Sequence, residues 1–362
     1  MAGCSAFHPP FSIFRIPFSL TVMSHYSSFP ALFEDFRRLK VLIIGDVMLD
    51  AYVWGSVHRI SPEAPVPIVN VKKRENRLGG AANVALNIQS LGATPILCAV
   101  TGQDASGDIF NQLLEQHQIS TAGIVRLSTR PTTMKERVIG GGQQMLRIDA
   151  EHSHGLPETD QESLRQTIAP LIPEADVIIF QDYDKGVLSE PLIQWVQQQA
   201  DQYQIPTAVD PKRRNFLHYR GAKLFKPNLK ELKEGLQQEF LMLHQEEYEL
   251  QPSIQEASDT LRKRLQHQIT LITLSEKGVF IDDTQQSTFI PAHVREISDV
   301  SGAGDTVISV AALCLALGLP ISLTASLANL GGGIVCEYTG VVPIEASRLL
   351  REAEQYLTLG TD

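Results

Sequence analysis

The chain has 362 residues, of which 43% are hydrophobic and 20% are charged, and its formal net charge at pH 7 is −10. This composition is typical of a globular protein that is long enough to bury a large core. The acidic balance argues against a general nucleic-acid-binding protein, although a local pocket on an acidic protein can still be basic. The length permits two domains, but α/β folds of this size are often one large domain with an insertion.

Residues 1–30 are predicted to be a disordered extension, because compact α/β sequence begins only near Phe33. Its apolar run, residues 11–20, is interrupted by Arg15 and Pro17 and lacks the basic leader and cleavage site of a secretory signal. The run is also too short to span a bilayer. Met23 is an alternative start.

Cysteine usage predicts a reducing, cytoplasmic location without a structural zinc site. The four cysteines lie far apart and form no Cys-x-x-Cys pair: Cys4, Cys98, Cys314 and Cys336.

The first buried strand is predicted at residues 40–44, and it ends in Gly45-Asp46 with a second carboxylate at Asp50. This pattern is typical of a parallel sheet that binds ligands at the carboxyl ends of its strands. Asp46 and Asp50 could both contact a polyol. The alternative is an aspartate in a turn and a solvated one.

Two β-rich segments, residues 51–77 and 125–150, are predicted to form one small sheet over the active site, which we call the lid. The first segment has three prolines within residues 62–67, which exclude a helix, and then an alternating strand at 68–71. The second segment is predicted to be a hairpin, with a strand, a Gly-Gly-Gly turn at 140–142 and a returning strand. Between the two segments, Gly79-Gly80 opens a helix that carries Asn83 and ends at Gly92.

From residue 164 onward the pattern is regular β-α alternation, which predicts a mostly parallel sheet with helices on both faces. Strands are predicted at residues 177–180, 207–209, 224–225, 270–273 and, as an edge strand, 285–290. Helices are predicted at residues 192–202 and 254–265. The Gln/Glu-rich segment 237–251 is interpreted as a solvated helix or a surface insertion.

Asn228 and Glu231 lie three residues apart at a helix start that Pro227 favours, so they share one face. They could organise a magnesium water shell beside nucleotide phosphates. The alternative, which the local pattern favours, is a capping box with Asn at the N-cap.

Five basic residues are candidate contacts for an anionic ligand, and each could equally be a solvated surface charge. Two follow strand ends and three come from the predicted lid: Lys185, Lys212, Arg59, Lys135 and Arg147.

Residues 299–306, Asp-Val-Ser-Gly-Ala-Gly-Asp-Thr, directly precede an apolar helical run at 307–317. Small residues before a helix let several backbone N–H groups point at one anion, most naturally a phosphate. Asp305 in the same turn could accept a proton from a hydroxyl that attacks that phosphate. The alternative is that Asp305 is simply an N-cap. The Gly-x-x-x-x-Gly-Lys-Ser/Thr, Gly-x-Gly-x-x-Gly and Gly-x-Ser-x-Gly motifs are all missing from the sequence.

Three of these stretches together resemble the ribokinase-like, or PfkB, family of sugar kinases over residues 41–343: residues 299–306, Gly-Gly-Ala-Ala-Asn at 79–83 and Pro-Asn-Leu-Lys-Glu at 227–231. Within the family, further segments resemble the heptose 7-phosphate kinases. They are Gly-Asp-Val-Met-Leu-Asp at 45–50, Arg-Ile-Ser-Pro-Glu-Ala-Pro-Val-Pro at 59–67, residues 132–135 and 143–149, and Asp-Tyr-Asp-Lys-Gly at 182–186.

The resemblance implies that ATP phosphorylates the anomeric hydroxyl of D-glycero-D-manno-heptose 7-phosphate to the 1,7-bisphosphate, in the supply of ADP-heptose for the lipopolysaccharide core. One alternative is a kinase of the same fold for another sugar or sugar phosphate, and a second is a non-catalytic sugar- or nucleotide-binding protein. Many relatives continue into a nucleotidyltransferase domain. Because the chain ends near the kinase boundary and lacks His-x-Gly-His, the expectation is a kinase alone, with the transferase on another polypeptide.

The resemblance also implies roles for individual residues. Asp305 is the base, and the anion hole is formed by backbone N–H groups of Gly302, Ala303, Gly304 and Asp305. Asn228 and Glu231 organise Mg²⁺ and its waters. The ATP side comprises Asn228, Thr273, Ser275, Gly278 and, near the adenine, Asn329. The sugar side comprises Asp46, Asp50, Gly80, Asn83 and Lys135, with Arg147 and Lys185 as further candidates. A K⁺ ion would lie at Asp299, Ser301 and Gly340.

The implied fold is a three-layer α/β/α sandwich with a mostly parallel central sheet and the small lid. The expected kinase domain is residues 31–350, followed by a tail at 351–362.

A homodimer is expected through the lids, because a small sheet with an apolar face around Val66, Ile68 and Val69 commonly packs against its copy. No nucleic acid or membrane partner is expected. Gly331-Gly332-Gly333 is unusual for a helix and allows either close packing or a bend.

Overall fold

The fold is described by a computed structural model over residues 26–237 and 247–359. Its strands are, in chain order, β1 (Lys40–Gly45), β2 (Val47–Ile60), β3 (Pro67–Gly80), β4 (Thr94–Gly102), β5 (Ile124–Leu127), β6 (Met134–Gly140), β7 (Gln143–Ala150), β8 (Val177–Gln181), β9 (Thr207–Asp210), β10 (Leu224–Phe225), β11 (Ile269–Thr273), β12 (Val279–Asp282) and β13 (Ser287–Ile290). Its helices are α1 (Phe29–Phe36), α2 (Ala81–Ser90), α3 (Ala105–Gln116), α4 (Glu158–Ile168), α5 (Glu190–Gln202), α6 (Leu229–Leu236), α7 (Glu247–Leu265), α8 (Ala303–Ala316), α9 (Ile321–Val335) and α10 (Ala346–Tyr356).

The central sheet has nine strands in the order β13-β12-β11-β10-β9-β8-β1-β4-β5. The pairs from β5 to β11 are parallel, and β12 and β13 complete one edge in antiparallel pairing. Successive residues of β1 bury on opposite faces: Val41 and Ile43 join a core with α2, α8 and α9, whereas Leu42 and Ile44 join a core with α4, α5 and α7. Helices therefore cover both faces, and the predicted three-layer sandwich is confirmed.

The lid is a separate four-stranded sheet in the order β3-β2-β6-β7. The predicted hairpin is confirmed, with Gly141 and Gly142 at positive φ in its turn. The predicted bounds were partly wrong. The lid strands β2 and β3 extend beyond 51–77, and β5, which overlaps the start of 125–150, pairs with β4 in the central sheet instead. β5 has only four residues, and so short a sequence does not show which sheet the strand joins.

The pairing register gives the lid two different faces. One face is charged, with Asp50 opposite Lys135 and Tyr52 opposite Arg137. The other face, which we call the apolar face, has Val53 opposite Val138 and Val138 opposite Leu146, and it also carries the ion pair of Arg74 with Glu136. The charged face turns toward the central domain, because a Cβ on Gly340 would lie 2.9 Å from Nη1 of Arg77, the lid residue opposite Asp50.

Several predicted limits need correction. Helix α1 begins at Phe29, which is buried, so the expected 1–30 extension overlaps the core at its end; residues 1–25 lie outside the described ranges. Helix α10 crosses the expected domain end at 350 and buries Leu349 and Ala353, so residues 351–356 are not a tail. Most of the predicted 237–251 insertion lies outside the described ranges. No helix in these ranges is both long enough and apolar enough to cross a bilayer.

The three consecutive glycines allow close packing of α9. Added Cβ atoms on Gly331 and Gly332 would lie 3.2 Å from Val310 and 2.7 Å from Val307, both on α8. A Cβ on Gly333 would lie 2.9 Å from Nε of Arg295. Of the two interpretations left open by the sequence, packing is therefore the correct one.

Candidate active site

The residues before α8 form an anion-binding helix start. Gly302 is the N-cap, with φ +83°, and Asp305 is the third helical residue, so the interpretation of Asp305 as an N-cap is wrong. In this first turn, Ala303 N–H donates to Val300 O at 3.3 Å and Thr306 N–H to Gly302 O at 3.0 Å. Within the described chain, the N–H groups of Gly304 and Asp305 have no acceptor. Two free donors at a helix N-terminus favour a bound anion.

The Asp305 carboxylate is buried, with 6% of the residue exposed, beside this helix start. Its Oδ2 accepts from Nδ2 of Asn83 at 2.7 Å. Its Oδ1 accepts from the Tyr183 hydroxyl at 2.5 Å and from Nε2 of Gln181 at 3.2 Å. Burial raises the pKa of Asp305 to about 6, and the bonds from Asn83 and Tyr183 oppose that rise. Above about pH 6 the group is therefore ionised and can accept a proton.

Two buried charges face the helix start from neighbouring strands. Asp210 ends β9 and Lys226 follows β10, and Lys226 Nζ lies 3.1 Å from Asp210 Oδ2. A Cβ built on Gly304 would lie 3.7 Å from that Nζ. An ammonium beside the two free N–H groups adds positive charge where an anion would sit.

Sequence reasoning assigned no role to Gln181, Tyr183, Asp210 or Lys226. Each lies at or just after the carboxyl end of β8, β9 or β10. Parallel strands bring these ends to one edge of the sheet, so the position of each residue after a strand was the signal that could have found it.

Asn228 and Glu231 form the capping box that the local pattern favoured. Glu231 N–H donates to Asn228 Oδ1 at 2.8 Å, and Asn228 N–H donates to Glu231 Oε2 at 2.9 Å. The remaining oxygen of Glu231 accepts from Lys212 Nζ. Among the described residues, no group of three or more His, Cys, Asp and Glu side chains is placed to hold a metal ion.

Asp46 holds the loop that carries Tyr183. Its two oxygens accept backbone N–H bonds from Tyr183 at 2.9 Å and from Lys185 and Val187 at 3.0 Å. Burial and the charge of Asp182 raise the pKa of Asp46 to about 6, against the effect of these three donors. One acceptor position remains on Oδ1, which takes only the bond from Val187, so the expected polyol contact stays a prediction.

Asp50 lies on the charged face of the lid, where it pairs with Arg137 Nη1 at 2.5 Å. A Cβ on Gly79 would lie 2.2 Å from Asp50 Oδ2, so a side chain at this position would displace the carboxylate. Gly80 adopts φ +63° and is the N-cap of α2, the helix that presents Asn83.

The structure brings three of the predicted basic residues together at the lid base. Lys135 pairs with Asp149 at 3.2 Å and Glu151 at 3.1 Å, Lys185 pairs with Glu151 at 2.8 Å, and Arg147 pairs with Asp149 at 2.9 Å. Arg59 lies apart, at the exposed end of β2.

The predicted nucleotide residues lie at the end of β11, in the turn that follows it and on α9. Thr273 ends β11 and forms a parallel bridge with Asn228, and Ser275 opens the turn that follows. Gly278 has φ +95° and its Cβ would lie 2.1 Å from Ile290 O, so packing alone requires glycine there. Asn329 Nδ2 donates to Pro291 O at 2.9 Å, which anchors the segment that leads to residue 299.

The three residues expected at a cation site lie together. Asp299 Oδ1 accepts from the backbone N–H of Ser301 at 3.0 Å and from its hydroxyl at 2.8 Å. Its Oδ2 accepts from Gly340 N–H at 2.9 Å.

An anion-binding helix start with a buried carboxylate, on an α/β/α sheet under a β lid, defines a phosphotransferase of the carbohydrate-kinase class. The chain belongs to the pfkB family of carbohydrate kinases, whose family profile matches residues 38–346. It is 38% identical over 341 residues to "Bifunctional protein HldE" of Methylobacillus flagellatus, covering 94% of this chain and 67% of the relative. It is 40% identical over 311 residues to the protein of the same name from Koribacter versatilis, covering 86% and 62%. The chain thus spans about two thirds of the length of these curated relatives.

Solved structures share the fold at low sequence identity. Phosphofructokinase-2 from Escherichia coli in complex with fructose-6-phosphate superposes with a TM-score of 0.69 at 15% identity, covering 87% of this chain and 99% of that one. Ribokinase from Arabidopsis thaliana, complexed with ribose and ATP, gives 0.65 at 16% identity, covering 86% and 99%.

Proposed function

We propose that the protein transfers the γ-phosphoryl group of ATP to the anomeric hydroxyl of D-glycero-D-manno-heptose 7-phosphate, giving the 1,7-bisphosphate. The observation that carries the proposal is the ionisable, buried Asp305 beside two free N–H groups at the start of α8. Family membership, the relatives named HldE and the heptose-kinase motifs at 45–50, 59–67 and 182–186 support the choice of sugar.

In the proposed reaction, Asp305 takes the proton from the attacking hydroxyl while the free N–H groups of Gly304 and Asp305 hold the transferring phosphoryl group. Lys226, which pairs with Asp210, adds positive charge beside these N–H groups. Asn83 is suited to orient the sugar, because its buried Oδ1 has no partner among the described residues and can accept from a second hydroxyl. The lid would exclude water from the reacting groups.

The runner-up function is a kinase of this fold for another sugar or sugar phosphate. A non-catalytic binding protein is disfavoured, since such a protein does not need a buried carboxylate with a pKa near neutrality. A panel of sugars and sugar phosphates, assayed for ADP release, separates these functions. We expect turnover to depend on the 7-phosphorylated heptose. Equal turnover with ribose, fructose or fructose 6-phosphate would show that the assignment of heptose 7-phosphate as the substrate is wrong.

Magnesium would be organised through water by Asn228 and Glu231, because each Glu231 oxygen accepts one bond within the protein and keeps one acceptor position for a water. ATP-bound Mg²⁺ would neutralise phosphate charge. In the same assay, Glu231→Gln, which retains an acceptor for the cap, should raise the Mg²⁺ concentration needed for half-maximal turnover. If only the unfolding temperature changes, the pair is a capping box and nothing more.

A K⁺ ion at Asp299, Ser301 and Gly340 is also proposed. The contacts among these residues support it, as does the solved complex of phosphofructokinase-2 from Escherichia coli with potassium. A cytoplasmic location is proposed because the reaction uses ATP and because three buried cysteines are free thiols, namely Cys98, Cys314 and Cys336. Replacing K⁺ by Na⁺ in the assay tests the cation, and cell fractionation tests the location.

We further propose a homodimer through the apolar face of the lid. The exposed fraction is 46% for Val71 and 54% for Leu146, and the pairing register places both on that face. Apolar surface of this kind on a small sheet favours burial against a second copy. Of the residues named for this face from sequence, Val69 lies on it, whereas Ile68 points to the charged side.

The dimer is tested by the double variant Val71→Asp, Leu146→Asp, which should lower the mass measured by light scattering from two chains to one. The matched control is Asn70→Asp, which adds a carboxylate on the same strand but on the opposite face, and it should remain dimeric. A wild-type protein that already scatters as a monomer at micromolar concentration would refute the proposal.

A further inference from the structure

Tyr183 occupies one oxygen of the candidate base and leaves the other available. Asp305 Oδ1 accepts two bonds, from the Tyr183 hydroxyl and from Gln181 Nε2. Oδ2 accepts one bond in the described structure, from Asn83 Nδ2. Each carboxylate oxygen has about two lone pairs for hydrogen bonds. Oδ1 is therefore full, and one acceptor position remains on Oδ2.

The loop that carries Tyr183 is fixed along its length, so this arrangement does not depend on one mobile side chain. Asp46 holds three N–H groups of the loop, at residues 183, 185 and 187. Asp182 Oδ2 accepts from the Tyr219 hydroxyl at 2.6 Å and from Asn215 Nδ2 at 3.0 Å.

A second set of contacts holds the same loop against the chain that returns from the lid. Arg130 Nη2 donates to His152 O at 3.0 Å and also to Lys185 O. A Cβ on Gly186 would lie 2.1 Å from His154 O, so the two backbones meet directly there. The Tyr183 ring is covered by Lys212, whose Nζ lies 5.5 Å from the ring centroid. The phenol is thus held in place before any substrate arrives.

We propose that Tyr183 is a positioning residue for phosphoryl transfer: its hydroxyl fills Oδ1 of Asp305, so that only Oδ2 is presented to the attacking sugar hydroxyl. The proposal rests on the proposed role of Asp305 as the base. It requires Tyr183 to remain a donor, and burial next to the charges of Asp305 and Asp210 raises the pKa of the phenol well above its ordinary value. A fixed donor on one oxygen aligns the other without moving during the reaction.

The test is Tyr183→Phe, which keeps the ring and removes the donor. Loss of a bond to the ionised form raises the pKa of Asp305, so the acidic limb of the kcat pH profile should move up by about one pH unit. The other groups that face Asp305, namely Asn83, Gln181, Asp210, Lys212 and Lys226, are unchanged in this variant. At the pH optimum, kcat should fall by about tenfold, with a smaller change in KM for the sugar.

The matched control is Tyr219→Phe, because its hydroxyl also donates to a buried carboxylate, Asp182, in the same loop. It should lower the unfolding temperature but leave the acidic limb where it is in the wild type. An equal shift in both variants would mean that the effect is a general loosening of the loop and would overturn the proposal. So would a Tyr183→Phe variant with higher kcat and lower KM, because the hydroxyl would then be blocking the site.

A substrate-free measurement separates this proposal from the proposed function. Carboxyl ¹³C NMR, with the Asp305 signal assigned by its loss in Asp305→Asn, should titrate at higher pH in Tyr183→Phe than in wild type. Identical titrations would refute the role of Tyr183 whatever the substrate is. Absence of heptose-dependent turnover with a shifted titration would refute only the proposed reaction.

Discussion

Asp305→Asn is expected to lower turnover by about 10²- to 10⁴-fold, the range that a positioned general base contributes. The amide is nearly isosteric with the carboxylate, but it cannot take the proton of the attacking hydroxyl. ATP binding, measured by calorimetry, should survive, because the free N–H groups at the start of α8 belong to the backbone. The wild-type profile of kcat should also fall as the pH drops below about 6, because the pKa of Asp305 is raised to that value and the protonated form is inactive.

The control for this result is Asp282→Asn, which removes another buried carboxylate, one that pairs with Arg262 and Ser258 away from the site. It should reduce stability and leave turnover per folded molecule near that of the wild type. An Asp305→Asn variant that retains wild-type turnover would show that the general-base role is wrong.

Gly304→Ala is expected to fold normally and still lose about 10²-fold in turnover, similar to the loss of one oxyanion-hole donor. Its Cβ would meet only Lys226 Nζ at 3.7 Å and Asp210 Oδ2 at 3.9 Å, which are ordinary contacts. Alanine in a helix is favoured over glycine by up to about 1 kcal/mol, so the unfolding temperature should stay level or rise. The added methyl group, however, points between the two charges, in the space proposed for the phosphoryl group.

Calorimetric unfolding and steady-state assays on the same preparation check this combination. Gly155→Ala is the matched control, since a Cβ there has nothing within 4 Å, and it should leave turnover unchanged. A Gly304→Ala variant that is stable and fully active would mean that the phosphoryl group does not pass the start of α8. A variant that is inactive because it is unfolded would contradict the contact distances themselves.

The sequence by itself predicted a mostly parallel sheet with helices on both faces, but it placed β5 in the lid instead of in that sheet. Buried β-branched runs such as that of β1 predicted parallel strands, because a strand covered on both faces must be apolar throughout. Glycines at 302 and 304 predicted an anion-binding helix start, since small residues there leave backbone N–H groups accessible. The spacing of Asn228 and Glu231 predicted the capping box, because both partners lie within one helical turn. Each of these predictions depends on local chemistry alone.

The tertiary structure decided which groups share the site. Asn83 and Tyr183 lie 222 and 122 residues from Asp305 in the sequence and still donate to its two oxygens. Nothing local marks Tyr183 as a partner of Asp305, or Asp46 as the anchor of the Tyr183 loop. Such pairings arise because the starts of α2 and α8 and the loop after β8 meet in the folded chain, so contact depends on how the elements pack and not on distance along the chain. For the same reason, burial of Asp305 and the resulting rise in its pKa could be known only from the packed site.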